Sequence, residues 1–411
     1  MGWHRAREAA RSFDVWVICE EHEFAAAIGR YLESHGPIPG LEFAFVAKLP
    51  WERRLERVPG FYQAIYRRWH GRAFDVAKRL HAQFQFDLVH QANMIGFREP
   101  GLLWKLDAPF LWGPIGGTQN YPWRFLGEAG VRGGAVEAVR NVLNWLQLRL
   151  SLRVRRAARK AAAVVASNST VARHLARALG VRPLLLADTG VEGLRPIART
   201  EPRPPGELRL LWSGEFTPRK ALSLLIKALT RLPPGVRCSL RVLGDGPMRA
   251  RWQRLARRQG VEGQMEFLGW LPRSEALRHY EWADAFVFTS LRDTTGTVVL
   301  EALGSGLPVV CLDHQGVGDA VTEECGIKIP VSTPAKVVAG IGEAVARLAL
   351  DPQLRRRLSD GAVARAEEYL WSRNGARMTE IYRQVLDRRE GAARAAGDES
   401  LLRDHGSRLD R

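Results

Sequence analysis

The chain has 411 residues, 46% hydrophobic and 26% charged, which is long enough for two domains with substantial cores. No run of 18 apolar residues occurs, so no segment reads as a membrane-spanning helix, and Met1–Arg7 lacks the apolar stretch of a signal peptide. A net charge of +17 suits anionic partners, but only eight of the 61 basic residues are Lys, and no zinc-finger spacing, aromatic RNA-binding pattern or basic heptad accompanies them, which argues against nucleic acid.

The chain opens on a helix-like stretch, Trp3–Arg11. Strands are predicted at Asp14–Cys19, Leu41–Val46, Phe86–His90, Phe110–Trp112 and Ala162–Ala166. Leu32–Gly40 and Pro114–Arg132 read as loop-rich. Leu143, Leu146, Leu150 and Val154 form a helical stripe crowded by Arg149, Arg153, Arg155, Arg156, Arg159 and Lys160. Such a stretch is either the solvated face of a packed helix or a surface that docks on anionic lipid. The Pro-rich segment 191–206 reads as a linker between an N-terminal domain, 1–190, and a C-terminal domain, 207–370.

Beyond the linker, strands and helices alternate. Leu208–Trp212, Cys238–Leu243, Met265–Leu268, Ala285–Thr289, Pro308–Leu312 and Gly326–Ile329 read as strands. Pro218–Thr230, Met248–Arg258 and Ser274–Trp282 read as helices. This alternation predicts an α/β fold with a parallel sheet covered on both faces. Leu348–Leu386 is helical, with 371–387 expected to return to the N-terminal domain. The polar, Gly/Ala-rich 388–411 reads as a disordered tail. Cys19, Cys238, Cys311 and Cys325 are scattered without a Cys-x-x-Cys, which argues for cytoplasm and against disulfides or zinc.

Thr289–Val310 is the most informative stretch. An apolar run ends in a polar loop, and a helix opens through Thr294, Thr295 and Gly296. Free N–H groups at a helix start favour an anion, phosphate above all. Thr297 and Glu301 share a helix face, and Asp293 lies at the loop exit. Two carboxylates beside a phosphate site are suited to the hydroxyls of a nucleotide-sugar. Read alone, Glu301 is equally a helix residue paired with an Arg, and Asp293 a turn residue. A second loop, Ser213-Gly214-Glu215-Phe216-Thr217-Pro218-Arg219-Lys220, follows the first C-terminal strand. Pro218 and Thr217 suit the start of a helix, which sets Arg219 and Lys220 in a first turn that disfavours cations unless an anion is bound.

With Gly304-Ser305-Gly306-Leu307-Pro308-Val309-Val310, the Thr289–Val310 stretch resembles the signature of the family-4 retaining glycosyltransferases. That resemblance implies the GT-B fold, two Rossmann-like domains facing a cleft. Asp293 stands where the family usually has Glu, Thr294-Thr295 where it has Gly-Phe, and Glu215 where it has Arg. Lys220 matches the family Lys that grips the donor diphosphate. Gly244-Asp245-Gly246-Pro247 and Phe267-Leu268-Gly269-Trp270 resemble the turns that meet the nucleotide. Thr189-Gly190-Val191-Glu192 resembles the family's hinge. Asp87-Leu88-Val89-His90 resembles its Asp-x-x-His at the cleft, and Gly116-Gly117 a Gly-rich turn on the acceptor side.

The resemblance implies transfer of a sugar from a nucleoside-diphosphate-sugar to an acceptor hydroxyl with retention, without metal or resident cofactor. Arg219, Lys220, Thr295, Gly296 and Thr297 are expected to bind diphosphate. Gly244, Leu268, Gly269 and Glu301 are expected at the base and ribose. Asp293, Glu301 and His90 are expected at the reacting centre, with Gly116 and Gly117 at the acceptor. The acceptor would be a saccharide or lipid-linked saccharide. The enzyme is expected to be cytoplasmic, with peripheral contact at the anionic inner face of the membrane. Alternative readings are a GT-B epimerase or phosphorylase, or a non-catalytic sugar-nucleotide binder. Family members open on a strand and Gly-containing loop, and Met1-Gly2-Trp3-His4 resembles the end of that loop. About 15–25 residues with a central strand are therefore expected to be absent, leaving a gap in the N-terminal sheet.

Overall fold

The computed structural model describes residues 1–58, 60–92, 96–197 and 203–409, with only the backbone path described for 392–409. The N-terminal half runs α1 (Gly2–Ala10), β1 (Val15–Glu20), α2 (Glu21–His35), β2 (Leu41–Val46), α3 (Pro50–Leu55), α4 (Tyr62–Phe84), β3 (Val89–Gln91), β4 (Phe110–Ile115), α5 (Gly130–Leu150), α6 (Leu152–Lys160), β5 (Ala161–Ala166), α7 (Ser169–Leu179) and β6 (Leu184–Leu185). The C-terminal half runs β7 (Glu207–Ser213), α8 (Leu222–Leu229), β8 (Arg237–Leu243), α9 (Arg249–Arg258), β9 (Met265–Gly269), α10 (Arg273–Trp282), β10 (Ala285–Phe288), α11 (Thr297–Gly304), β11 (Val309–Asp313), α12 (Gln315–Ala320), β12 (Gly326–Pro330), α13 (Pro334–Leu350) and α14 (Pro352–Glu367). A long α15 (Trp371–Leu409) closes the chain.

The C-terminal sheet is six-stranded and parallel, in the order β12-β11-β10-β7-β8-β9. Numbered from its own first strand and read from the other edge, this is the Rossmann order 3-2-1-4-5-6, with the order reversing between β7 and β10. Val and Leu fill these strands because helices cover both faces. Trp212, Leu240, Val287 and Val310 pack on one face, and Leu211, Phe286, Phe288 and Cys311 on the other.

The N-terminal strands form two parallel sheets, β1-β2 and β3-β4-β5-β6. Among the described residues no strand joins β1 to β3. Ala9 of α1 and Phe13 pack with Leu111, Val165, Met378 and Tyr382, so helices α1 and α15 lie against β4 and β5 where the two sheets part.

Several boundaries differ from expectation. Leu32–His35 belong to α2, and β3 starts at Val89 rather than Phe86. The Leu143–Lys160 stretch breaks at Ser151, whose side chain accepts from Val154 N and caps α6. The chain from 388 continues as helix to Leu409, where disorder is expected; its Ala, Arg, Glu and Leu residues all favour helix. The linker 191–206 falls partly outside the described residues, at 198–202. Among the described residues no helix is long and apolar enough to cross a membrane.

Candidate nucleotide-sugar site

Open parallel sheets bind ligands beyond the carboxyl ends of the strands, at the point where the strand order reverses. Here that point lies between β7 and β10. The loops leaving these strands, 213–221 and 289–296, carry the strongest expected site residues. Backbone ties join the two loops. Leu291 N donates to Arg219 O at 2.8 Å. Thr289 Oγ1 donates to Lys220 O at 2.8 Å and accepts from the buried Trp212 Nε1 at 3.0 Å.

The first loop does not fold as expected. Pro218–Lys220 is a 3-10 turn, Thr217 makes no side-chain cap, and α8 starts only at Leu222. Between turn and helix, Ala221 takes a left-handed φ of 46°. Arg219 and Lys220 therefore do not lie in the first turn of an α-helix, and the dipole argument for an anion beside them falls away. Lys220 is buried, its Nζ donating to Asp293 Oδ2 at 2.5 Å and lying 4.8 Å above the Phe288 ring. Arg219 Nη1 reaches the same carboxylate oxygen at 3.3 Å, and Ser290 Oγ donates to it at 3.2 Å. Burial works against the Asp293 charge, but Lys220 and Arg219 outweigh it and hold the carboxyl below its ordinary value. Burial also pulls the Lys220 ammonium down, against Asp293. Two cations thus share one carboxylate at the end of β10.

The second loop turns into α11 through Gly296, whose φ of 79° suits glycine and whose Cα faces the Phe288 ring. The first N–H groups of α11 have no helical partner, as at any helix start. Thr297 is exposed there, whereas Thr295 is buried and its hydroxyl donates to Asp188. Glu301 lies one turn further along. Tyr280 OH donates to it at 3.4 Å and Arg273 Nε approaches at 3.4 Å, so it is indeed paired with an Arg. Burial pushes the Glu301 carboxyl above its ordinary value, with Arg273 opposing.

Two glycine turns press on these loops. A Cβ on Gly244 would lie 2.0 Å from Gly214 O, and one on Gly246 2.9 Å from Phe216 O. Gly244 N donates to Gly269 O at 2.7 Å, which brings the expected base-binding Leu268-Gly269 segment alongside. A Cβ on Gly316 would meet Thr294 O at 1.6 Å, so only glycine fits beneath that loop.

Several positioning residues were not anticipated. Gln315 Oε1 accepts from Asp293 N at 2.8 Å, and its Nε2 donates to Asn120 O at 3.1 Å. Asn168 caps α7 and donates to Thr294 O at 3.0 Å. Arg292 forms a two-pronged pair with Glu137 of α5 at 2.9 and 3.0 Å. Arg292 with Glu137, Asn168 with Thr294 and Gln315 with Asn120 each join positions more than a hundred residues apart, so no local spacing marks these pairs.

On the N-terminal side the expected residues are dispersed. Gly113 O can only accept, so His90 Nε2 carries the proton it donates there at 2.6 Å. The other nitrogen, Nδ1, then accepts from Tyr382 OH at 2.8 Å. Burial, aided by Arg5, pushes its pKa down to about 3, so the ring is neutral. Both nitrogens are engaged, and in this arrangement His90 ties α15 to β3 and β4. Gly116 pairs with Gly96, and Gly117 O accepts from Asn144 Nδ2 at 3.2 Å, so α5 holds this turn.

Residues 196–365 match the protein family described as Glycosyl transferases group 1. Over 244 residues the chain is 29% identical to the D-inositol 3-phosphate glycosyltransferase of Streptomyces bingchenggensis, covering 54% of this chain and 53% of that protein. Over 202 residues it is 29% identical to the lipopolysaccharide core biosynthesis glycosyltransferase LpsD of Rhizobium meliloti, covering 47% and 53%. The chain thus spans about half the length of these curated relatives. Among solved structures it resembles sucrose-phosphate synthase of Thermosynechococcus elongatus, with a TM-score of 0.61 at 17% identity over 92% of this chain and 97% of that one. Anabaena HepE, crystallised with UDP and glucose, gives a TM-score of 0.58 at 16% identity over 93% and 95%. These two likenesses show the GT-B fold.

Proposed function

We propose that the protein is a retaining glycosyltransferase that moves a hexose-type sugar from a nucleoside-diphosphate-sugar to an acceptor hydroxyl. The observation that carries this reading is the pair of buried or half-buried cations, Lys220 and Arg219, sharing one carboxylate at the switch point of a Rossmann sheet. A diphosphate entering between them and the start of α11 meets two positive charges and free N–H groups. These same groups stabilise the charge that develops on the leaving diphosphate, without a metal. Glu301 accepts the ribose hydroxyls, and Asp293, released in part from Lys220, accepts hydroxyls of the donor sugar. Leu268 and Gly269 offer backbone to the base. No nucleophilic side chain is called for, because departure and attack on one face of the sugar keep the configuration.

The acceptor is a saccharide or lipid-linked saccharide, as in polysaccharide or glycolipid assembly; the LpsD similarity supports this class. Incubation with a panel of nucleoside-diphosphate-sugars and saccharide acceptors tests the reading. The expected result is a glycoside whose anomeric configuration matches the donor, formed equally well with chelator. Inverted product, or a strict divalent-metal requirement, overturns the mechanism; release of epimerised donor alone overturns the reaction class.

A further inference from the structure

Helix α5 is built inside out. Its buried residues are Gly134, Glu137, Asn141, Asn144 and Leu148, four of them polar or glycine. Asn141 brackets the Tyr121 backbone, accepting from its N–H at 2.9 Å and donating to its C=O at 2.8 Å. Asn144 holds the 117–120 loop, and Glu137 holds Arg292. The opposite face is apolar and open to solvent: Val131 is 93% exposed, Val136 66%, Val139 59%, Val142 49%, Leu143 45% and Leu150 68%. These positions fall on one side of a 3.6-residue helix. An ordinary surface helix points such residues inward, and a contiguous exposed apolar face marks a contact with something else.

The charges around this face name the partner. Arg132 and Arg149 lie on the same arc of α5 at its two ends, and Arg156, Arg159 and Lys160 follow in the chain on α6, all exposed. Arg149 lies over the ring of the exposed Trp145 at 4.5 Å, an indole suited to a headgroup layer. From Ala138 to Lys160 the sequence has no Asp or Glu, and Glu128 and Glu137 are each committed to a cation elsewhere. The basic stretch expected from sequence is thereby redefined. Val154 is buried and Arg153 pairs with Glu99, so the face lies along α5 rather than along Leu143–Val154. A second copy docked here by two-fold symmetry would set these cations against themselves.

We infer that the outer face of α5, with the basic end of α6, seats the protein on an anionic lipid bilayer surface. The helix lies in the plane of the interface, its valines and leucines among acyl chains and its arginines on headgroup phosphates. This inference does not depend on the donor site.

The experiment is flotation of the full chain with vesicles of phosphatidylcholine, with and without phosphatidylglycerol. The wild type is expected to float with the anionic vesicles and not with the neutral ones. Val136→Ser, Val139→Ser and Leu143→Ser combined should cut binding at least about tenfold, and Arg149→Gln, Arg156→Gln and Arg159→Gln combined about a hundredfold. Unchanged melting temperatures show that both variants fold; if the serine variant does not, the arginine variant decides alone. Equal binding to both vesicle types, no binding at low salt, or full binding by a folded variant overturns the inference. So does a wild-type dimer in sedimentation velocity that the serine changes dissociate, because the face then belongs to a second copy.

Discussion

At the scale of single residues, the proposed donor site rests on how Asp293 and Lys220 hold each other. Their side chains are 18% and 9% exposed, so breaking the pair leaves a buried ammonium without its counter-charge. Asp293→Asn should therefore cost about 3 kcal/mol of stability, read from urea unfolding at neutral pH. Saturating nucleoside diphosphate should restore more stability to this variant than to wild type, because phosphate supplies the lost charge. Loss of the same stability with no such excess would show that the pair is purely structural. The pH dependence follows from the sign of the shift. The Asp293 carboxyl is held below its ordinary value of about 4, so its contribution is present above that value and lost as pH falls through the lower folded one. Acidification through that window should narrow the gap between wild type and Asp293→Asn. Lys220, Asp293 and Glu301 were legible as candidates because the first two follow strand ends and Glu301 lies one turn into the helix that the same motif opens. The engagement of His90 was not, because its partner Tyr382 is 292 residues further along the chain.

At the scale of elements, the loops are set by backbone contacts that periodicity does not report. The sequence 217–220 satisfies the rules for a helix start, yet it forms a 3-10 turn. The carbonyls of Arg219 and Lys220 are taken by Leu291 N and Thr289 Oγ1 from the neighbouring strand's loop. Tertiary hydrogen bonds there override the local preference, and Ala221 accepts a left-handed φ to rejoin α8. The strands of the C-terminal half were legible because a sheet buried on both faces writes itself as short apolar runs between turns. The packed side of α5 was not legible, for the opposite reason. Most of its large apolar residues face outward, so a stripe at helical spacing did not mark its packed side. Gly316 gives the direct test of loop packing. Gly316→Ala should push Thr294 aside, lowering stability by about 1–3 kcal/mol and weakening nucleoside-diphosphate binding. Calorimetry and thermal unfolding of this one variant check both effects; unchanged values would show that the 293–296 loop moves freely without loss.

At the scale of the whole molecule, the two halves are unequal. One has a continuous six-stranded sheet; the other has sheets of two and four strands, with β1 and β3 not paired to each other. Backbone amides of β1 and β2 should therefore exchange with solvent at least about a hundredfold faster than those of β7 and β10, measured by hydrogen exchange. Equal protection would mean that the divided sheet opens only with the global fold. The halves are joined by more than a hinge: Tyr121 and Phe125 pack in the same cluster as Trp212 and Phe216, and Glu128 binds Lys227 at 2.6 Å. Helix α5 links this contact to the proposed lipid surface, with Glu137 on its inner face holding Arg292 beside Asp293. The central claim is that the switch point between β7 and β10 binds nucleoside diphosphate. Titration calorimetry of nucleoside diphosphates into wild type, Lys220→Ala, Glu301→Gln and the control Lys227→Ala tests it most directly. Wild type and control should bind, Lys220→Ala should lose about 1.5–3 kcal/mol, and Glu301→Gln should also be weakened while its fold is kept. Equal affinity in all four proteins, or no nucleoside diphosphate bound by wild type, would contradict it.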